Sequence, residues 1–323
     1  MNISPIGVNI DEALEALASC TVWYPDYLEA MRIITKSFST TRNRKDPSSA
    51  LLIGPTGVGK TRLCRMLEKQ LGTTTTPLGP TCMKKVRPCI YIELPEASTT
   101  RSLSMVVAIA LGATPLDKQS ITSLEMLIIE RLITMEVQLV ILDDFHHIAE
   151  KGRVISKSSL CNWLMKLLNN SGIPFLVSGS LKAENLINGV QELSDRFPYR
   201  AHLKVLPLAE EYSDSTLLGV LAGLQQEMIR LGKLTQYPHL TDPHHYKAMY
   251  MATQGNFRRL SNLLHDTFSI ALTRGDYTLS MDDFSLAADD LAFCCNPNYF
   301  RMPLRQLNNA IKTKIDSSLG SGK

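Results

Sequence analysis

The residues best suited to chemistry lie in one octapeptide, Gly54-Pro55-Thr56-Gly57-Val58-Gly59-Lys60-Thr61. It fits the pattern G-x-x-x-x-G-K-[ST] at every fixed position. An apolar run, Ala50 to Ile53, precedes it, and a run with helical spacing, Thr61 to Leu71, follows. Glycine is needed there because the backbone must curl until successive N–H groups point at one centre. The dipole of the following helix adds to the attraction for an anion. Residues 54 to 61, with Arg62 beside them, therefore read as a cradle for nucleotide phosphates. Lys60 would place its charge on the β- and γ-phosphates, and the Thr61 hydroxyl would ligate Mg²⁺. On this reading Lys60 touches only ligand.

A second constellation lies further along. Leu139-Val140-Ile141-Leu142 runs into Asp143-Asp144. Four apolar residues read as a buried strand, and the acids emerge at its carboxyl end, where ligands sit in an open parallel sheet. Asp143 is expected to partner Mg²⁺ through water. Asp144 is expected to polarise the attacking water. Nucleotidases of this type usually carry Glu at the second position. Asp is one methylene shorter, at most about 1.5 Å of reach, so hydrolysis is expected to be slow, and Asp144→Glu is expected to keep or raise the rate. His146 and His147 follow directly, but adjacent side chains diverge, so no metal site is read there. The pair His244-His245 is discounted on the same ground.

These residues need a scaffold. Strand-like runs at Ala50–Ile53, Pro88–Leu94, Gln138–Asp144, Pro174–Ser180 and His202–Leu206 alternate with helix-like runs, including Ser102–Leu111, Ile121–Met135 and Ser156–Asn170. Strands separated by helices argue for a parallel sheet covered on both faces. The Thr/Pro/Gly segment from Thr73 to Pro80 reads as a loop. Beyond Pro207 the pattern is helical throughout. The expected organisation is an N-terminal helical segment over 1–45, an α/β nucleotide-binding domain over 46–207, a helical lid over 208–295 and a partly ordered polar, basic tail over 296–323.

Composition is consistent with this. A chain of 323 residues suggests about two domains. Apolar residues at 44% and a net charge of only +3 exclude a wholly disordered chain. Seven cysteines without a C-x-x-C pair suggest neither a disulfide framework nor zinc. No apolar run is long enough for a transmembrane helix. The N-terminus lacks the regions of a signal peptide, so a cytoplasmic protein is expected.

The phosphate loop, the Asp-Asp strand end, the polar fourth strand and the helical lid together resemble the AAA+ ATPases. Trp23-Tyr24-Pro25, Asp143-Asp144-Phe145-His146, Gly172 through Ser180 and Asp195-Arg196-Phe197 are similar to phrases of the TniB/TnsC family of transposon ATP-binding regulators. That resemblance covers residues 20–275 and departs from the family at Asp144 and at Ser180, where Thr is common. It implies that Ser178 or Ser180 is a sensor of the γ-phosphate. It implies that Arg196, with Arg200 as second choice, reaches the ATP of a neighbouring subunit. Arg258, next to Arg259, would be the lid sensor, and Val22 or Tyr24 would flank the adenine. Arg101 would meet the DNA backbone. Lys151 and Arg153, after the Asp pair, and the acid-free run of Arg32, Lys36, Arg42, Arg44 and Lys45 are further candidates for DNA contact. The function implied is an ATP-dependent homo-oligomer on duplex DNA, binding without regard to sequence. It would link a target-selection protein to a transposase, with no membrane partner. A helicase loader or replication initiator remains open as an alternative. So does an AAA+ switch that binds no DNA, such as a secretion ATPase.

Overall fold

A computed structural model describes residues 9–44, 47–77, 83–95, 99–116, 118–145, 157–208, 216–294 and 297–320. The chain divides into two compact units, residues 26–203 and residues 1–25 together with 204–323.

The first unit is built on a five-stranded sheet of β1 (Ala50–Ile53), β4 (Cys89–Glu93), β5 (Leu139–Asp143), β6 (Phe175–Gly179) and β7 (Tyr199–His202). The order is β4-β5-β6-β1-β7 and every pairing is parallel. β1, β5 and β6 are buried along their whole length. That explains their near-continuous Val, Ile and Leu content, since helices cover both faces of such a sheet. The helices are α2 (Pro25–Arg44), α3 (Lys60–Leu71), α4 (Thr100–Ala110), α5 (Ile121–Thr134), α6 (Lys157–Ser171), α7 (Leu181–Asn188) and α8 (Gln191–Asp195). Local signals start them: the Thr99 hydroxyl caps α4 by accepting from Ser102 N, and Ser120 caps α5 through Ser123 N. Trp163 on α6 is buried and donates its indole N–H to Ser104 on α4 at 2.9 Å, which ties two helices over the core.

Two expectations are corrected here. The fifth strand is Tyr199–His202 rather than 202–206. It is an edge strand with one fully buried side chain, Ala201, so it carries no apolar run to mark it. Thr74–Pro77, read as loop, is β2, paired antiparallel with β3 (Met83–Val86). The β-branched threonines suit a strand better than their loop-like neighbours suggest.

The second unit contains α1 (Ile10–Ser19), α9 (Thr216–Gly232), α10 (Pro243–Thr253), α11 (Phe257–Arg274), α12 (Met281–Asp290) and α13 (Leu304–Gly320). α1 packs against α9 and α11, and α13 against α10. The stretch expected to be a partly ordered tail thus carries a helix. Leu307 and Ile311, four residues apart, form its buried stripe. Asp283 anchors α12: its carboxylate accepts from Ser280 N at 2.8 Å and Ser280 Oγ at 3.0 Å, and it pairs with Arg274. No described helix is long and apolar enough to cross a membrane.

Candidate nucleotide site

The loop leaves β1, an interior strand between β6 and the β7 edge, and enters α3 at its first turn. Gly54 N donates to Gly179 O, and Leu203 N donates to Ile53 O, so β6 and β7 clamp the loop's start from both sides. A Cβ at Gly54 would lie 2.4 Å from Leu203 O, which explains glycine there. Gly59 has φ +99°, a left-handed conformation, and its carbonyl accepts from the Tyr27 hydroxyl at 2.7 Å. Tyr27 on α2 therefore holds the loop's last turn, a role that no local pattern announces. Val58 is buried, whereas Pro55, Thr56 and Thr61 are exposed and Arg62 is half-buried. Lys60 is only 7% exposed. Its ammonium donates to Gly54 O at 2.8 Å and Pro55 O at 2.9 Å. The expectation that Lys60 touches only ligand is thus corrected: it also braces the loop.

β6 lies between β1 and β5, so its residues are interposed between loop and acids. Asp143 is fully buried. Its Oδ2 accepts from the Tyr91 hydroxyl at 2.9 Å and its Oδ1 from Asp144 N at 3.0 Å. A carboxylate offers about four acceptor sites, so capacity remains for a cation. Burial, and next the Asp143 charge, push the Tyr91 phenol far up, so it stays protonated and donates. Burial likewise holds the Cys64 thiol well above its ordinary range. Asp144 is half-buried with φ 55°. Among the described residues, Ser178 Oγ and Ser180 Oγ are buried and make no hydrogen bond. The Cys64 thiol is a polar neighbour of Ser178. A curled loop with a buried lysine, a buried carboxylate and two unsatisfied hydroxyls fits a phosphate chain with a divalent cation.

Other expected residues lie elsewhere. Ser49 N donates to Arg196 O at 2.8 Å, which fixes Arg196 at the amino end of β1, opposite the phosphate loop. Four residues of strand separate those ends by about 13 Å. Arg196 lines an open cleft of about 400 Å³ with Ser48, Met165, Asn169, Glu192 and Asp195. Arg200 is spent within its own chain, donating to Glu184, Asn188 and Ser194. Arg101 lies half-buried in the first turn of α4. Arg32 is paired bidentately with Glu29. Lys36 lies 6.0 Å from the centre of the Tyr199 ring. Arg258 is exposed at the start of α11 in the second unit, while Arg259 stacks 5.6 Å from the Phe293 ring centre. Lys45, His146, His147, Lys151 and Arg153 lie outside the described residues.

Comparison with known families decides the membership. The family described as "Bacterial TniB protein" matches residues 2–205, well over half of the chain. The chain belongs to the TniB family. A comparison with curated proteins found no match. Among solved structures this TniB-family chain is similar to the Aeropyrum pernix Orc1 protein in complex with DNA, at 16% identity and a TM-score of 0.58, covering 85% of this chain and 67% of that one. It is similar to the Aeropyrum pernix Orc2 protein in ADPNP–ADP complexes, at 14% identity and a TM-score of 0.60, covering 85% and 71%. Cdc6p from Pyrobaculum aerophilum follows at 14% identity and a TM-score of 0.57, covering 84% and 70%. At such identities the likeness shows the fold alone. The fold is that of the AAA+ ATPases, an α/β architecture on a parallel five-stranded sheet.

Proposed function

We propose that this TniB-family chain is an ATP-dependent switch that assembles on duplex DNA and links a target-selection protein to a transposase. The observation that supports the reading most is the built phosphate loop, with Lys60 folded over its own carbonyls and Asp143 buried two strands away. The loop N–H groups and Lys60 would take the β- and γ-phosphates. Thr61 and Asp143 would hold Mg²⁺, which when bound neutralises developing phosphate charge. Asp144 would orient the attacking water, and Ser178 and Ser180 would donate to γ-phosphate oxygens. Arg258 would be the lid sensor.

Arg196 acts in trans on this reading, because its place at the far end of β1 keeps it from its own loop. A fixed charge with a planar fork suits a neighbour's phosphates. Nucleotide then completes a site between subunits, so nucleotide state controls assembly. Arg101, Lys151 and Arg153 would meet DNA phosphates, which carry no sequence code. Such a switch works in the bacterial cytoplasm. The test is fluorescence anisotropy of a labelled duplex with purified protein. Binding is expected with Mg²⁺ and a non-hydrolysable ATP analogue, on any sequence, and to weaken steeply with salt. No binding at low salt with the analogue would leave a switch that acts without DNA.

A further inference from the structure

Tyr91 links three elements of the first unit. This tyrosine is on β4, at the edge of the sheet, and outside the sequence motifs. It is 7% exposed, and phenylalanine would fill the same space. Its hydroxyl crosses to the next strand and donates to Asp143 Oδ2 at 2.9 Å. The register makes this possible: Glu93 is the partner of Asp143, and Tyr91, two residues earlier, shares its face. Above the ring lies the Arg65 guanidinium from α3, 3.5 Å from the ring centre. Three elements are thus joined at one phenol: the helix that follows the phosphate loop, the edge strand, and the strand that carries the acids.

The chemistry of a carboxylate explains what such a link does. The last torsion of an aspartate is broad and two-fold, so a carboxylate with one donor swings freely. Asp143 has a donor on each oxygen, Asp144 N on Oδ1 and Tyr91 on Oδ2. Two donors on different oxygens fix the plane of the group and leave lone pairs on both. Partners behind a metal ligand commonly set its orientation in this way.

We propose that Tyr91 is a positioning residue that presets the Asp143 carboxylate for a divalent cation, and that Arg65 holds the Tyr91 ring in place for this task. The inference rests on the nucleotide reading of the site and adds a pair of residues to it. Arg65 also bonds Glu68 at 3.2 Å, so its guanidinium is fixed at two points.

The test measures binding rather than turnover. A fluorescent non-hydrolysable ATP analogue is titrated into the full chain in EDTA and across a range of Mg²⁺. Tyr91→Phe is expected to match the wild type within about twofold in EDTA, and to need about 10- to 100-fold more Mg²⁺ for the metal-dependent gain. Arg65→Met, a change at an exposed side chain, should shift the Mg²⁺ midpoint in the same direction by a smaller factor. Equal loss of affinity with and without Mg²⁺ in Tyr91→Phe would overturn the proposal, since a merely structural role predicts that. Unchanged midpoints would overturn it too, and Arg65→Met alone decides if Tyr91→Phe does not fold. A wild type that binds no nucleotide under either condition would instead fail the nucleotide reading and take the proposal with it.

Discussion

Asp144 stands in a backbone conformation that most residues avoid, with φ at 55°. Asp and Asn are the side chains other than glycine that visit this region most readily. The choice of aspartate over the longer glutamate therefore has a backbone reason. By reach alone Asp144 is a short glutamate, but in this backbone conformation a glutamate would carry about 1 kcal/mol of left-handed strain. That sets a cost against the expected tolerance of Asp144→Glu. Asp144→Asn is the cleaner probe, because it keeps the conformation and the volume and removes only the charge. It is expected to leave nucleotide affinity within about twofold and to lower hydrolysis by about 100-fold or more. Hydrolysis at the wild-type rate in Asp144→Asn would take the residue out of the reaction.

β1 and its neighbours determine where the loop begins, and Gly54 is the point of closest approach. A methyl group there would meet the Leu203 carbonyl at 2.4 Å, a backbone atom that can yield only if β7 moves. Gly54→Ala is expected to cost about 1–3 kcal/mol, lowering the melting temperature by about 2–4 °C for each kcal/mol. Calorimetry would check this, and an unchanged melting temperature would mean that β7 is not held against the loop. The elements differ in how legible they were. β1, β5 and β6 announce themselves because both faces are buried and the run must be apolar. β7 does not, because Tyr199, Arg200 and His202 keep an edge strand polar. The phosphate loop is readable because its chemistry permits few residue types. The bonds from Tyr27 to Gly59 and from Tyr91 to Asp143 are unreadable for the opposite reason. They join residues far apart in sequence, and a tyrosine inside an apolar run looks like any core aromatic.

At the scale of the whole molecule, the proposed switch works only if more than one copy takes part. Arg196 and the phosphate loop occupy opposite ends of the same strand, so on the proposed reading one chain offers a nucleotide and another supplies the arginine. Arg196→Ala alone is expected to hydrolyse ATP at least about 1000-fold more slowly. Mixed with Lys60→Ala, which keeps Arg196 but loses its own phosphate contact, it should regain activity, because each variant supplies what the other lacks. Mixtures no more active than either variant alone would place Arg196 outside the site, and Arg200, tied to Glu184, Asn188 and Ser194, could replace it only by giving up those bonds. If the proposed DNA contacts are made, each subunit offers few of them and its net charge is only +3, so useful affinity would come from several subunits on one duplex. Sedimentation velocity of the protein with a short duplex tests this most directly. With Mg²⁺ and a non-hydrolysable ATP analogue, the account predicts a fast species carrying several chains per duplex, which forms cooperatively and is absent with ADP. Identical sedimentation with analogue and with ADP would contradict it.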